Sequence, residues 1–370
     1  MKLKPVVALY APVNVIGGIA TWARLVIEVL GEDFTFVVVD TAQHYMDLGQ
    51  TSFSRRLIFG TRDAATRIFE TLNLVSRKTR PNVAYIAAAP SLGFWVRDML
   101  LIHVLASFRV PIIVHLHGGD TVGFFGRGRV SRWYARLSLS RASKVVSITP
   151  DIYAELVDVL GDERSAYIPN MLATTDVAVR RPAPSRKDGC RSMVVHVGWQ
   201  SIAKGSLDVV EVARLMPHFD FVLVGGVPVD FAGRLDRAVG DVDNVLIAGP
   251  MTPTDLDRLY ELADVLLFPS ISEGFPMVVL EAMSHGLPVV ATDVGAIREM
   301  IGANSADAAG LVVSRDDSTF IQSLVKAVER AVLDESFASA ARASGPQRVA
   351  RLYSVESVMP RLRRVIKDLC

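Results

Sequence analysis

The sequence predicts an α/β protein with two doubly wound, Rossmann-like domains joined once. Short β-branched runs alternate with helical patterns along the chain, which is typical of parallel strands connected by helical crossovers. The alternation stops at one polar stretch and restarts beyond it. The length agrees with this division, because 370 residues, half of them hydrophobic, can bury about two cores.

The strands of the first half are predicted from the runs VVALY at 6–10, FTFVVVD at 34–40, VAYIAAA at 83–89, IIVHLH at 112–117 and KVVSIT at 144–149. A linker is predicted at 176–190, DVAVRRPAPSRKDGC, because this stretch has prolines, charges and no periodicity. The strands of the second half are predicted from MVVHVG at 193–198, FDFVLVGG at 219–226, VLIAG at 245–249, DVLLFPS at 264–270, LPVVATD at 287–293 and GLVV at 310–313.

The tail at 353–370 has apolar residues at helical spacing, which predicts an amphipathic helix that packs back across the first domain. We therefore expect a first domain at 1–178, completed by 350–370, and a second domain at 190–349. The two domains are expected to face each other across a cleft. Ligands of open α/β sheets bind beyond the carboxyl ends of the strands, so the loops there are the candidate site.

Composition excludes several classes of function. The net charge of +1 provides no general field that would attract nucleic acid, so no nucleic-acid partner is expected. Cys190 and Cys370 are the only cysteines, which argues against a disulfide framework or a zinc site and favours a cytoplasmic location. The aspartates form no cluster that suggests a metal site. The first residues, MKLKPVVALYAP, are typical of a strand rather than a signal peptide.

The stretch SEGFPMVVLEAMSHG at 272–286 predicts a turn followed by a helix that Pro276 begins and Gly286 ends. The free amides of Phe275, Met277 and Val278 would attract an anion such as a phosphate. Glu281 lies in the apolar run, where a buried carboxylate needs a partner. That partner is either the cis-diol of a ribose or a core arginine or lysine.

Two more residues near this stretch have open interpretations. Glu273 either reaches a sugar beside the diphosphate or is simply exposed. In VGWQSIAKGSLD, Gly198 ends a strand and Lys204 precedes a helix. A lysine at a helix start is electrostatically unfavourable unless an anion is near, so Lys204 either meets a diphosphate or is an exposed turn residue.

The segments EGFPMVVLE, AMSHGLPVVATDVGAIREMI and GLVV together resemble the signature of the family-four retaining glycosyltransferases of GT-B architecture, most strongly over about 190–320. The resemblance implies transfer of a sugar from a nucleoside diphosphate to a hydroxyl with retention, no metal and no cofactor besides the donor. It implies catalytic roles for Glu273, His117 and Lys204, and a ribose contact for Glu281. The remaining implied donor-binding residues are Gly17, Gly18, Gly198, Gly249, Gly274, Phe275, Pro276, Met277 and Val278.

One position departs from the family pattern, because Trp199 stands where members commonly carry an arginine, and an indole cannot neutralise phosphate. Two residues allow a purely structural alternative. Without the resemblance His117 would be a structural histidine, and Gly295, which repeats family text together with Asp293 and Glu299, would serve only to cap the next helix.

The acceptor is expected to be a glycan, either lipid-linked or polysaccharide. The stretch FFGRGRVSRWYARLSLSR at 124–141 mixes aromatic residues with arginines, so it either rests on an anionic membrane or forms a solvated helix with core aromatics. Two alternative functions stay open, a sugar-nucleotide epimerase and a relative that binds nucleotide sugars without turnover. A dinucleotide dehydrogenase is disfavoured, because no G-x-G-x-x-G follows the first strand.

Overall fold

The computed structural model describes residues 4–15, 17–42, 53–76, 80–91, 93–119, 124–126, 128–173, 191–316 and 318–370, without the side chains of 53–63. The chain divides into two compact units, of which the first comprises Met1–Asn170 with Val358–Cys370 and the second Met171–Ser357. The linker predicted at 176–190 lies outside the described residues. None of the helices in the described ranges combines the length and the apolar content that crossing a bilayer requires.

The first unit contains a parallel sheet of six strands in the order β2-β1-β3-β4-β5-β6. Its strands are β1 (Val6–Ala11), β2 (Thr35–Asp40), β3 (Val83–Ala88), β4 (Ile112–Leu116), β5 (Lys144–Ser147) and β6 (Ser165–Tyr167). Every residue of β3 and β4 is buried, as expected for central strands covered by helices on both faces. The five predicted strands are confirmed, and β6 was not predicted.

The helices of the first unit are α1 (Gly18–Leu30), α2 (Phe53–Val75), α3 (Met99–Ser107), α4 (Arg129–Leu139) and α5 (Pro150–Leu160). A π-helical turn, Phe94–Asp98, leads into α3. Buried side chains of β1, β3 and β4 and of the helices α3 and α4 form one continuous core.

The second unit repeats this design with a parallel sheet in the order β12-β11-β10-β7-β8-β9. Its strands are β7 (Ser192–Val197), β8 (Phe219–Val224), β9 (Val245–Gly249), β10 (Val265–Phe268), β11 (Val289–Thr292) and β12 (Gly310–Val313). Its helices are α6 (Ser206–Leu215), α7 (Val229–Val239), α8 (Pro253–Leu262), α9 (Met277–Ser284), α10 (Ile297–Ile301), α11 (Phe320–Leu333) and α12 (Glu335–Arg348). The predicted architecture of two Rossmann-like domains is therefore confirmed.

The chain ends in a further helix, α13 (Val355–Lys367), whose residues from Val358 onward belong to the first unit. Its Arg363 and Lys367 both pair with Asp33, at 2.7 and 3.0 Å. These ion pairs hold the carboxyl group of Asp33 at a lowered pKa, chiefly through the hydrogen bond from Lys367. The helix thus completes the first unit with residues far away in the sequence.

Candidate functional site

The amino end of α9 lies beyond the carboxyl end of β10, the position at which ligands of parallel sheets bind. Pro276 occupies the N-cap and the helix begins at Met277, so the prediction that Pro276 is the first helical residue is wrong by one position. The fixed φ of proline suits either place, which is why the pattern could not distinguish them. The amides of Met277 and Val278 have no acceptor within the helix and point out of its amino end, whereas that of Val279 donates to the carbonyl of Pro276 at 3.2 Å.

Lys204 and Glu273 form an ion pair beside this helix end. The lysine Nζ lies 2.5 Å from Oε1 of Glu273, and the two side chains are 32% and 10% exposed. The Ser270 hydroxyl donates to the same oxygen at 2.7 Å. The alternatives in which Lys204 and Glu273 are exposed, unattached residues are therefore wrong. A carboxylate this buried is held in one position by two donors, and the lysine keeps further N–H groups for another partner.

The loop after β7 is locked against the loop after β10. Gly205 has φ +72°, and a Cβ there would lie 2.2 Å from the carbonyl oxygen of Pro269, so only glycine fits. The Ile271 amide donates to the carbonyl of Ala203 at 2.8 Å, and the Ser270 hydroxyl reaches the same carbonyl at 3.0 Å. These contacts fix the backbone that presents Lys204 and Glu273.

A third loop, which follows β11, packs against the backbone of Glu273 and Gly274. Gly295 has φ +56°, and a Cβ there would approach the carbonyl oxygens of Glu273 and Gly274 to 2.4 and 2.5 Å. The Ala296 amide donates to the carbonyl of Gly274 at 2.9 Å. The interpretation that Gly295 serves only to cap the next helix is thus too narrow, because its missing side chain lets two loops touch.

Glu281 lies on the second turn of α9 and is half-buried, not fully buried as the apolar run suggested. The Tyr260 hydroxyl donates to its Oε2 at 3.3 Å. Burial, followed by the nearby Glu281 charge, raises the pKa of Tyr260 well above its usual value, so the phenol stays a donor at neutral pH. The sequence overstated the burial because the apolar neighbours of Glu281 face the core while the residue itself lies at the edge of that face.

Trp199 is 66% exposed and rests on the backbone of Gly226, where a Cβ would come within 2.8 Å of the indole. Its loop is well fixed, because the amide of Gly198 donates to Val224 and that of Gln200 to Gly226, both at 2.9 Å. Gly198 has φ +146°, in the region that favours glycine. The indole therefore presents a flat apolar face in the loop that also carries Lys204.

Two further predicted donor-binding residues, Gly249 and Phe275, make ordinary contacts within the second unit. Gly249 ends β9 with φ +71° and accepts from the amide of Gly225 at 2.9 Å. Phe275 is buried, with its ring 5.4 Å from that of Tyr353 in an edge-on contact. The side chain of Phe275 thus anchors the turn before α9, and only its backbone can face a ligand.

The predicted residues of the first unit lie at the carboxyl edge of its own sheet. His117 follows β4, and its ring contacts those of Trp22 and His115 at centroid distances of 4.8 and 4.1 Å. Burial lowers the pKa of His117 to about 3, so the imidazole is neutral. Its Nε2 is buried and has no hydrogen-bond partner among the described residues. A buried polar atom in this state is open to a ligand group.

Gly17 and Gly18 form the start of α1 after β1. Within the described part of the chain, no atom lies within 4 Å of an ideal Cβ at either position. Packing among the described residues therefore does not explain why these two residues are glycines.

Two family models match the chain, one in each unit. Residues 28–171 match the model described as "Glycosyl transferase 4-like domain", and residues 191–333 match "Glycosyl transferases group 1". The chain belongs to the family-four glycosyltransferases. The resemblance of the EGFPMVVLE segment is thus confirmed at the level of the family.

The individual relatives of this chain are distant. The alpha-galactosylglucosyldiacylglycerol synthase of Streptococcus pneumoniae is 28% identical over 211 residues, which cover 53% of this chain and 55% of that protein. Among solved structures, sucrose-phosphate synthase from Thermosynechococcus elongatus superposes with a TM-score of 0.76 at 17% identity and 99% coverage of both chains. HepE of Anabaena, solved with UDP and glucose, gives 0.67 at 16% identity, covering 98% of this chain and 99% of its own. The two structures support the GT-B fold.

The structure brings Lys204, Glu273 and the amino end of α9 together, with Glu281 on the same helix. Gly17, Gly18 and His117 lie in the other unit. Sequence reasoning missed the residues that hold the loops in position, which are Ser270, Gly205, Tyr260 and Arg315, whose guanidinium donates to the carbonyl of Pro269 at 2.7 Å and to Asp208 at 2.9 Å. The positive-φ requirement at Gly205, directly before a helix, was the one local signal available for these positions.

Proposed function

We propose that this protein is a retaining, metal-independent glycosyltransferase that moves a sugar from a nucleoside diphosphate to a hydroxyl of a lipid-linked or polysaccharide glycan. The observation that carries the proposal is the Lys204–Glu273 ion pair, 2.5 Å long, beside the amino end of α9. Lysine has three N–H donors, and the contact with Glu273 uses one of them. The others, with the helix amides, suit the diphosphate.

The remaining roles follow from the positions of the side chains. Glu281 would accept hydrogen bonds from the two ribose hydroxyls, since its carboxylate is half-buried and already oriented by Tyr260. Glu273 would contact the donor sugar. In the first unit, neutral His117 would exchange a hydrogen bond with a sugar hydroxyl through its buried Nε2. The bare backbone of Gly17 and Gly18 would lie against the diphosphate or the acceptor.

In the proposed reaction the bond between the anomeric carbon and the diphosphate oxygen breaks, and the acceptor oxygen bonds to the same face of that carbon. The proton of the acceptor hydroxyl passes to the departing phosphate. Lys204 and the α9 amides stabilise the charge that develops on this phosphate, which is the step at which fixed donors accelerate transfer most. The diphosphate thus serves as both leaving group and base.

The relatives support the donor and the acceptor in different ways. HepE, which shares the fold, was solved with UDP and glucose. The name of the pneumococcal relative describes a glycosylated diacylglycerol, which supports a lipid-linked acceptor for this chain as well. Nucleotide sugar as donor, a glycan or lipid acceptor, and a cytoplasmic location in contact with an anionic membrane together make up the proposal.

Calorimetric titration with UDP-, GDP- and ADP-sugars tests the donor site. Glu281→Gln should weaken the cognate donor by about ten- to a hundredfold, because a hydrogen bond to a charged group contributes about 1.5–3 kcal/mol. The matched control is Glu211→Gln, an exposed glutamate of α6 that should bind the donor normally. The donor site as proposed is wrong if Glu281→Gln binds the cognate donor as tightly as the unsubstituted protein.

Product analysis tests the reaction itself. Nuclear magnetic resonance of the transferred sugar should show the anomeric configuration of the donor. Inversion would contradict the retaining mechanism, and isomerisation of the donor in the absence of any acceptor would identify an epimerase instead.

Trp199 favours one second candidate, a relative that binds nucleotide sugars without turnover, because the indole replaces a cation. The variant Trp199→Arg distinguishes the two. For an active transferase the new cation should tighten donor binding by about tenfold and keep turnover. Tight donor binding without transfer to any glycan or lipid acceptor, in both proteins, would favour the non-catalytic alternative.

A further inference from the structure

The outer face of α4 exposes a strip of apolar side chains. Val130, Trp133 and Leu137 are 78%, 62% and 36% exposed. At about 100° per residue these three positions fall within an arc of about 60°, so they form one continuous strip along the helix. The buried residues Ala135 and Leu139 lie on nearly the opposite side. The strip is therefore not part of the core of the first unit.

Three arginines flank this strip along one edge, and α4 contains no acidic residue. Arg132 lies 3.7 Å from Glu155. Arg129 and Arg136 are exposed and have no carboxylate within ion-pair distance among the described residues. Arg129 occupies the first helical position, where the helix dipole disfavours a cation unless an anion is near. No described carboxylate therefore neutralises the charges of Arg129 and Arg136.

Two other helices of the same unit, α2 and α3, also expose apolar side chains. Helix α3 packs against both α2 and α4. Leu100 of α3 and Phe69 and Leu72 of α2 are also exposed. Two helices near α4 therefore also carry unburied apolar side chains.

We infer that α4 docks on an anionic phospholipid bilayer, with Val130, Trp133 and Leu137 in the headgroup–acyl boundary and Arg129 and Arg136 on the lipid phosphates. Tryptophan prefers this depth, and arginine extends its charged end along the surface while its stem stays in the apolar zone. Charge complementarity decides the occupant, because the helix offers cations without acids. This inference rests on the proposed function, which includes contact with an anionic membrane, and it assigns that contact to one surface of the first unit.

Flotation of the full chain with vesicles tests the inference. The protein should float with mixed phosphatidylcholine and phosphatidylglycerol and far less with phosphatidylcholine alone. Arg129→Ser with Arg136→Ser should weaken binding on the order of twentyfold, from about fivefold for each arginine near an anionic surface. The double variant Val130→Ser with Trp133→Ser should abolish flotation. Added salt should release the unsubstituted protein.

The matched control lies on α7, an exposed helix of the second unit. Val229→Ser with Arg234→Ser removes one exposed apolar side chain and one exposed arginine there. It should leave flotation unchanged. All variants should keep the melting temperature of the unsubstituted protein, since the replaced side chains lie on the surface. Failure of that protein to float, or equal losses in the α4 and α7 variants, would overturn the inference.

Tryptophan fluorescence gives a local measurement that does not depend on turnover. In Trp199→Phe, Trp133 is the one strongly exposed indole among the described residues. Its emission should shift to the blue with anionic vesicles, and brominated lipids should quench it. Trp133→Phe should show neither effect. Loss of self-association in the α4 variants, with no lipid response, would instead identify an interface between copies of the chain and overturn the lipid assignment.

Discussion

Replacement of Lys204 by methionine tests the central ion pair most directly. Methionine keeps the apolar stem and removes the charge. The carboxylate of Glu273, 10% exposed, would then keep only the Ser270 hydroxyl among its described partners. Breaking a buried ion pair from one side costs about 3–5 kcal/mol, and exposed pairs contribute far less. Because the lysine is 32% exposed, we expect a loss of about 1–3 kcal/mol in the free energy of unfolding.

A double-mutant cycle separates the pair from other effects. Urea denaturation gives the free energy of unfolding for Lys204→Met, Glu273→Gln and the double variant. Residues in direct contact should show an interaction energy of about 1–2 kcal/mol. If the two single losses add within about 0.5 kcal/mol, the ion pair does not exist in solution and the reasoning is refuted.

The same variants should have opposite effects on donor binding. Lys204→Met should weaken nucleoside diphosphates by about ten- to a hundredfold, because one charge-assisted contact is lost. Glu273→Gln should bind them at least as tightly as the unsubstituted protein, because the lysine charge is no longer shared, while sugar transfer falls. Equal losses of affinity in both would mean that Glu273 and Lys204 bind the donor as a unit.

The control for these measurements is Arg214→Met, which breaks a surface ion pair with Asp241 in the same unit. The two side chains are 37% and 77% exposed, so their pairing is screened by solvent. Donor affinity should not change. A loss there comparable to that of Lys204→Met would indicate a general effect of charge rather than a local one.

Two further predictions concern loop packing and pH. Gly295→Ala should destabilise the second unit by about 1–3 kcal/mol and weaken donor binding, because the new Cβ meets carbonyls of the 273–274 loop at 2.4 and 2.5 Å. Gly233→Ala, in an exposed helix where a new Cβ would lie 3.7 Å from Nη1 of Arg237, should not destabilise. Equal denaturation midpoints for the two variants would contradict the packing argument. Burial holds the pKa of His117 at about 3 and that of His196 at about 4 in the folded protein, against 6.5 in the unfolded chain. These two histidines therefore do not lower the free energy of unfolding above pH 6.5, and they lower it as the pH falls below 6.5. Each histidine should contribute a loss of about 1.4 kcal/mol near pH 5.5, measured by urea denaturation, and a flat profile would show that neither imidazole is buried and neutral.

The central strands of both sheets could be predicted because they are largely buried on both faces, so β-branched runs appear there without interruption in the sequence. The edge strand β6 has three residues, Ser165–Tyr167, only the first of which is buried, and it gave no such signal. The C-terminal helix was predictable from its apolar spacing. Its ion pairs with Asp33 were not, because the partners lie more than 300 residues apart in the chain.

The site was predictable in part. The positions of Lys204 and Glu273 beyond strand ends followed from the pattern, but their direct contact spans 69 residues and depends on which strands are neighbours. The strand order places β10 next to β7, and only that adjacency brings the two loops together. The half-burial of Glu281 depended on how far α9 rotates over the sheet, which an apolar run in the sequence does not specify.

In the proposed donor site, Trp199 stands where the family resemblance implies an arginine, which changes how the charge of a diphosphate can be balanced. Lys204 already shares its charge with Glu273, so the loops after β7 and β10 offer a diphosphate little net positive charge. The binding energy must then come more from neutral donors, which are the first-turn amides of α9 and the backbone of the glycine-rich loops. Such donors remain oriented when the site is empty, because the loop contacts at Gly205 and Gly295 fix the backbone that carries them. Such a site binds a diphosphate through donors in fixed positions more than through positive charge. Its selectivity among ligands should therefore depend on loop packing more than on any single cation.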